Sequence, residues 1–263
     1  MVDWVRKKSY DCKDLEEIVR LLRAPGGCPW DREQTHESIR RNFLEEAYEV
    51  AEAIDEGSLD HLKEELGDVL LQVVFHAQIE RELGHFTLAD VADGVCQKLI
   101  FRHPHVFADT QVSGSDEVLV NWEALKREEK NQTSYTDTLN SVARSLPALW
   151  RAEKVQKKAK KAGFDWDDPA DALDKLSEEV EELRRAVAEG SNVEEELGDV
   201  LFAAVNVSRF VKADAEDALT AATDKFIRRF AQVEALCGDK PMEEHTLAEL
   251  DALWNRAKEL ERK

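Results

Sequence analysis

Two stretches of the chain pair carboxylates at helical spacing. Glu179 and Glu182 stand i, i+3 in "SEEVEEL" (177–183), and Glu196 and Asp199 stand i, i+3 in "EELGDVL" (195–201). Residues three apart share one helix face, about one turn from each other. Two antiparallel helices carrying these pairs can therefore bring four carboxylates together. The N-terminal half offers the same set: Glu46 and Glu49 in "LEEAYEV" (44–50), then Glu65 and Asp68 in an identical "EELGDVL" at 64–70. On a wheel of about 100° per residue, Glu65 lies about 60° from the line through Leu62, and Asp68 about 60° further round. The acids border the apolar stripe instead of opposing it. Like charges held at a core edge repel and are costly to desolvate. A hard divalent cation removes that cost, and an oxygen-only donor set selects Mg²⁺, with Mn²⁺ as the substitute. One acidic pair in so acidic a chain is ordinarily a solvated helix face. Two pairs, duplicated with their apolar flanks, point to ligand chemistry. Gly67 and Gly198 lie inside these helices, where glycine costs about 1 kcal/mol against alanine, so a neighbouring helix or a ligand is expected to approach there.

Cations that could meet a polyphosphate on its other side are present. Lys225, Arg228 and Arg229 fall within one and a half helical turns, and Lys98 and Arg102 repeat the outer two of them. The island "RAEKVQKKAKK" (151–161) reads as a solvated helix face or as a ligand contact. Trp254 can stack on a base or fill a core, and Lys258 follows it at i, i+4. His103 and His105 flank Pro104 in "RHPHVF", which is turn geometry and not a helical metal pair. No Gly-rich phosphate loop follows a strand, and no nucleophile elbow is present.

Helices must position these groups. From Ser58, an N-cap residue, apolar side chains recur at Leu59, Leu62, Leu66, Val69, Leu70, Val73 and Val74, and Gly84 ends the run. Val193, Leu197, Val200, Leu201, Ala204 and Val205 repeat the pattern. Period-two runs are scarce, so almost no sheet is expected. The duplication extends further: "GCPWD" (27–31) echoes "GFDWD" (163–167), "KLIFR" (98–102) matches "KFIRR" (225–229), and Trp122 with Lys126 matches Trp254 with Lys258. Blocks repeated in one order mean two copies of one helical unit. The expected organisation is all-α, with helical-bundle domains at 1–130 and 146–263. The polar connector between them, 131–145, belongs to "KNQTSYTDTLNS" (130–141). Pro147 then stands near the first turn of the second copy.

The totals set outer bounds. The chain has 263 residues with 56 Asp+Glu against 36 Lys+Arg, a net charge of −20. Such a surface repels nucleic-acid duplexes and anionic membranes. Cys12, Cys28, Cys96 and Cys237 have no metal spacing and are expected as reduced thiols. The N-terminus lacks an apolar signal core and "VLLQVVF" is too short to span a bilayer, so the expectation is a cytoplasmic protein.

Taken together, E-E-x-x-E followed by E-x-x-D, with "GCPWD", "EELGDVL", "RHPHVFAD" and "GFDW", resembles the MazG family of nucleoside triphosphate pyrophosphohydrolases in its two-copy bacterial form. The likeness covers nearly the whole chain. It implies the reaction NTP + H₂O → NMP + PPi with Mg²⁺, broad base tolerance, a housekeeping role in the nucleotide pool, and a homodimer with interleaved helices. By that likeness Glu179, Glu182, Glu196 and Asp199 would be metal ligands, and Lys175, Lys225, Arg228, Arg229, Trp254 and Lys258 would bind nucleotide. Glu178 or Glu179 is the candidate to accept the proton of the attacking water, and Glu182 is counted with them in the catalytic set. The competing reading is a non-catalytic acidic helical module, docking a basic partner or sensing nucleotides without turnover.

The two copies differ in the direction of ligand chemistry. Lys175 corresponds to Asn42, Arg228 to Phe101 and Asn206 to Phe75, and Asn206 lies about two turns after Asp199 on its face. Phosphate binding is expected to favour the C-terminal copy. The N-terminal copy keeps Glu46, Glu49, Glu65 and Asp68 as candidate metal ligands with weak or no activity.

Overall fold

A computed structural model describes residues 4–130 and 132–261. Asn131, the first residue of the expected connector, and the chain ends at 1–3 and 262–263 lie outside the described residues. The chain divides into two compact units, Met1–Lys126 and Arg127–Lys263. Among the described residues there is no strand, as the periodicity implied.

The N-terminal unit contains α1 (Cys12–Arg23), α2 (Pro29–Glu33), α3 (His36–Glu56), α4 (Leu59–Leu83), α5 (Leu88–Arg102), α6 (Pro104–Phe107) and most of α7 (Ser115–Glu129). Its centre is the α3–α4 hairpin, with α1 laid against α4. The hairpin turn needs only Gly57 and Ser58. Gly57 takes a left-handed φ of 68°, where a Cβ would be strained, and the Ser58 side chain accepts from the His61 N–H as N-cap. Val19, Ile39, Val74, Phe75 and Ile79 form the core. Arg23 closes one end: its guanidinium donates to the carbonyls of Asp31 and Gln34 at 2.6 and 3.1 Å and pairs with Glu82 at 2.9 Å. The Pro104 segment, expected as a turn, is a single helical turn, α6: His103 caps the end of α5, and its Nδ1 lies 2.6 Å from the Leu99 carbonyl oxygen.

The C-terminal unit contains α8 (Tyr135–Asn140), α9 (Ala148–Lys161), α10 (Pro169–Glu189), α11 (Val193–Phe210), α12 (Ala215–Cys237), a 3₁₀ turn (Met242–Glu244) and α13 (Leu247–Leu260). The segment expected as a connector carries α8, which packs on α9. The plan of the first unit returns: α10 and α11 pair as a hairpin and α9 packs on α11. Gly190 has the same φ of 68° as Gly57. α3 and α10 are both 21 residues long, so the duplication seen in sequence is a duplication of geometry. The basic island lies on α9, where Lys157 pairs with Glu153 and Lys160 with Asp165 at 2.6 and 3.2 Å.

One expectation needs correcting. A Cβ built on Gly67 or Gly198 would meet nothing within 4 Å. Within its own unit, no described group closes on either glycine.

Much apolar surface is uncovered. The described chain exposes 19009 Å² at 29.9 kDa, whereas two separate compact domains of half that mass would together expose about 14,000 Å². The excess has a pattern. Leu173, Val180 and Val187 repeat every seven residues along α10, Val91, Val95 and Leu99 every four along α5, and all six are exposed. Seams at three-and-a-half-residue spacing are what helices present to one another.

Arg23 supplies the first test. Arg23→Met removes the donors of two carbonyls and leaves Glu82 with Gln78 but no cation, and is expected to destabilise the N-terminal unit by about 2 kcal/mol. Urea unfolding followed by circular dichroism measures it.

Candidate metal and nucleotide site

The α10–α11 hairpin gathers three of the four acids that the spacing led us to expect together. One carboxylate oxygen from each of Glu179, Glu196 and Asp199 lies within 4.8 Å of the others. In the N-terminal unit Glu46, Glu49 and Glu65 converge to the same limit. Each unit buries one of these glutamates, but on opposite arms of its hairpin: Glu179 on α10 is 7% exposed and Glu65 on α4 8%.

Each unit leaves one of its four acids outside the tight trio, and a different one. In the C-terminal unit it is Glu182, whose Oε1 is held by Arg185 Nη2 at 3.1 Å. The residue corresponding to Arg185 in the first copy is Glu52, so nothing draws Glu49 away. There Asp68 is the acid left out. Glu182 still borders the cluster: with Glu196, Arg185, Ala186, Glu189, Ser191 and Asn192 it lines an open depression of about 210 Å³.

Electrostatics bear the mark of crowding. Burial, then repulsion from Glu182, Asp199 and Glu179, raises the pKa of Glu196 above its ordinary value. Burial and then Asp68 and Glu49 do the same to Glu46, and burial and then Glu49 to Glu65. Each cluster has its own internal cation. Lys175 Nζ sits 2.7 Å from Glu179 and 2.9 Å from Glu178, and those hydrogen bonds raise its pKa and keep it charged. In the first unit His61 takes that part, 3.2 Å from Glu65 and 2.9 Å from Glu56. Sequence comparison passed over Arg185 and His61. The signal available was their change of type between copies, Arg185 against Glu52 and His61 against Asn192.

Apart from Lys175 and Asn206, the expected nucleotide ligands lie on α12 and α13, and several of them pair with other groups. Arg228 and Arg229 on α12 both pair with Glu261, at 3.4 and 2.6 Å. Trp254 on α13 packs against Phe226 with ring centroids 5.1 Å apart, and the Arg229 guanidinium lies 6.0 Å from its ring. Arg102 lies over Trp122 in the first unit in the same manner, at 5.2 Å. Lys225 is exposed, and Lys258 Nζ is 3.4 Å from Asn255 Oδ1. Glu178 is exposed beside Lys175. Asn206 is buried on α11 beyond Asp199.

A helical hairpin carrying E-x-x-E on one arm and E-x-x-D on the other, made twice, defines an all-α protein with two carboxylate clusters. The model of the MazG nucleotide pyrophosphohydrolase domain matches residues 34–107 and 168–233, both acidic hairpins, and the chain belongs to that family. It is 46% identical over 248 residues to the nucleoside triphosphate pyrophosphohydrolase/pyrophosphatase MazG of Thermotoga maritima, covering 94% of this chain and 95% of that protein. It is 44% identical over 254 residues to the nucleoside triphosphate pyrophosphohydrolase of Escherichia coli, covering 94% and 97%. It is also 49% identical over 259 residues to the uncharacterized protein YabN of Bacillus subtilis, of which it spans about half, 53%.

The donor set fits a hard divalent cation: carboxylate oxygens alone, mutually repelling, at mixed exposure. Without the cation, Glu196 weakens the fold once ionised, because its raised pKa means the folded state prefers it protonated. Its favourable contribution is present below its unfolded pKa and is lost as pH rises through the folded one. Glu196→Gln is therefore expected to raise the melting temperature of metal-free protein, by more at pH 8 than at pH 5. The same substitution should abolish the stabilisation that added Mg²⁺ gives the parent chain; differential scanning calorimetry reads both.

Proposed function

We propose that this chain hydrolyses nucleoside triphosphates to the monophosphate and pyrophosphate, with Mg²⁺ as the working ion, Mn²⁺ as a substitute, and the C-terminal unit as the active one. The observation that carries the reading is the convergent trio Glu179, Glu196 and Asp199, with Lys175 charged at its edge. These three would hold the ion, joined by Glu182 on leaving Arg185. When bound, a divalent ion supplies charge neutralisation and Lewis-acid polarisation of phosphoryl oxygens. The chain's own groups do the rest. Lys175, released from Glu178 and Glu179 by the incoming charge, meets a phosphate oxygen. Glu178 or Glu179 accepts the proton of the attacking water. Lys225, Arg228, Arg229 and Lys258 take the remaining phosphate charge, and Trp254 offers a face to the base. Broad base tolerance follows from that division of labour, since charge and stacking read no base edge, and nucleotide-pool housekeeping in the cytoplasm is the role that goes with this reading. The N-terminal copy lacks the equivalents of Lys175, Arg228 and Asn206, which supports weak or no turnover there.

The working form we propose is a homodimer. The exposed apolar rows on α5 and α10 are surfaces a second copy can cover. An acidic chain of this composition is expected to leave nucleic-acid duplexes unbound.

Product-resolved turnover tests the chemistry. The parent chain with Mg²⁺ should give monophosphate and pyrophosphate, and Glu196→Gln should lower kcat/KM by at least about 100-fold, an effect of the size lost with a charge-stabilising group. Glu65→Gln should retain most of the activity. Orthophosphate with diphosphate, or undiminished turnover in Glu196→Gln, would refute the assignment. Binding without turnover would favour a nucleotide sensor, and no Mg²⁺-dependent binding would favour an acidic docking module. Sedimentation equilibrium should return twice the 29.9 kDa chain mass.

A further inference from the structure

The surroundings of Asn206 are where the two units part most clearly. In the N-terminal unit its place is taken by Phe75, and the guanidinium of Arg23 lies 5.2 Å from that ring. In the C-terminal unit a buried arginine again ties the loop before the hairpin to the hairpin itself, but from a different position. Arg209, on α11, reaches Asp165 of "GFDWD" with Nη2–Oδ1 at 2.6 Å, and the two side chains are 7% and 9% exposed. The corresponding residues of the first unit are Gln78 and Pro29, which cannot form this pair. Burial alone would push the Asp165 carboxyl up, but Arg209 and Lys160 hold it below its ordinary value, so the pair stays ionised.

Arg209 has a second task. Its Nε donates to Asn206 Oδ1 at 3.0 Å, and Nη2 donates to the same oxygen. A guanidinium carries donors only, so the amide atom facing it must be oxygen, and the flip of this asparagine is decided by chemistry. Among the described residues the amide Nδ2 donates to nothing. It belongs to a side chain 7% exposed, seven residues beyond Asp199 and so about 10 Å further along the same helix face. A donor that far from the acidic cluster stands past the phosphates that the cluster would hold.

We propose that Arg209 is a positioning residue that locks the Asn206 amide, so that its NH₂ group meets a hydrogen-bond acceptor on the nucleoside part of the substrate. Asp165 holds Arg209 in place. This rests on the pyrophosphohydrolase reading and adds to it a contact that reads the nucleoside and not the phosphate chain. In this arrangement a donor alone is presented, so the partner atom is a base carbonyl, an unprotonated ring nitrogen or a sugar oxygen.

The test is a double-mutant cycle on the full chain with Mg²⁺, using Asn206→Ala, Arg209→Lys and the pair. Lysine keeps the charge opposite Asp165 but loses the two-pronged fork. Loss of one such hydrogen bond should raise KM about 3- to 10-fold in Asn206→Ala with kcat little changed. Arg209→Lys should raise KM by a smaller factor, and the double variant should be no worse than Asn206→Ala. Asn206→Asp keeps the acceptor for Arg209 and removes the donor; it should raise KM without lowering the melting temperature. Additive KM effects, or an Arg209→Lys that lowers only the melting temperature, would overturn the inference. An unchanged KM in both Asn206 variants would also overturn it while leaving the pyrophosphohydrolase reading intact, since that reading stands or falls on Glu196.

Discussion

Three carboxylate oxygens from Glu179, Glu196 and Asp199 held within 4.8 Å of one another are an arrangement the bare chain resists. Their repulsion, with partial burial, lifts the pKa of Glu196, and only a tight two-helix hairpin keeps the groups from spreading. The hairpin can do this because its turn is short and its inner face is built for close contact. Gly190 makes the left-handed turn, and Ala172, Ala186 and Ala203 are buried along the two helices. Small side chains let the helix axes approach, and that approach brings the acids into register. The apparatus that gathers negative charge is thus the same that packs the unit.

The internal cations show how the bare chain tolerates its own site. Lys175 lies across Glu178 and Glu179, and Arg185 draws Glu182 aside. Both are charges that an incoming ion and polyphosphate can displace into new partnerships. In the first unit the corresponding work falls to His61 beside Glu65, a weaker cation at neutral pH, and Phe75 stands where the second unit has Asn206. Duplication gave the chain two acidic hairpins. Divergence at a handful of flanking positions gave one of them Lys175, Arg228 and Asn206 where the other has Asn42, Phe101 and Phe75.

Exposed rows of leucine and valine on α5 and α10 belong to the same logic. A unit whose buried side chains are largely alanine and valine gains little stability from its interior, since burying apolar area stabilises in proportion to the area removed from water. What the interior lacks, a partner's helices can supply by covering those rows.

The helices, the duplication and the acidic sets were legible in the sequence because each depends on local spacing. Ser58 and Gly84 bracket α4 as N-cap and C-cap, and the i, i+3 acids share a face wherever the chain is helical. Which three of four acids would meet was not legible. That depends on Arg185 and Lys175 reaching across one turn, and on competition among rotamers that spacing does not rank. Nor was the pairing of Arg228 and Arg229 with Glu261, or the link from Asp165 through Arg209 to Asn206, because residues 32 to 44 apart in sequence become neighbours only when helices dock. Gly67 and Gly198 were readable as anomalies, yet only the packed chain shows that the space beside them is open. Periodicity and type, then, determined that this protein is two helical hairpins lined with carboxylates. Tertiary packing decided which side chains face each charge, since charge, unlike periodicity, acts through space and not along the chain.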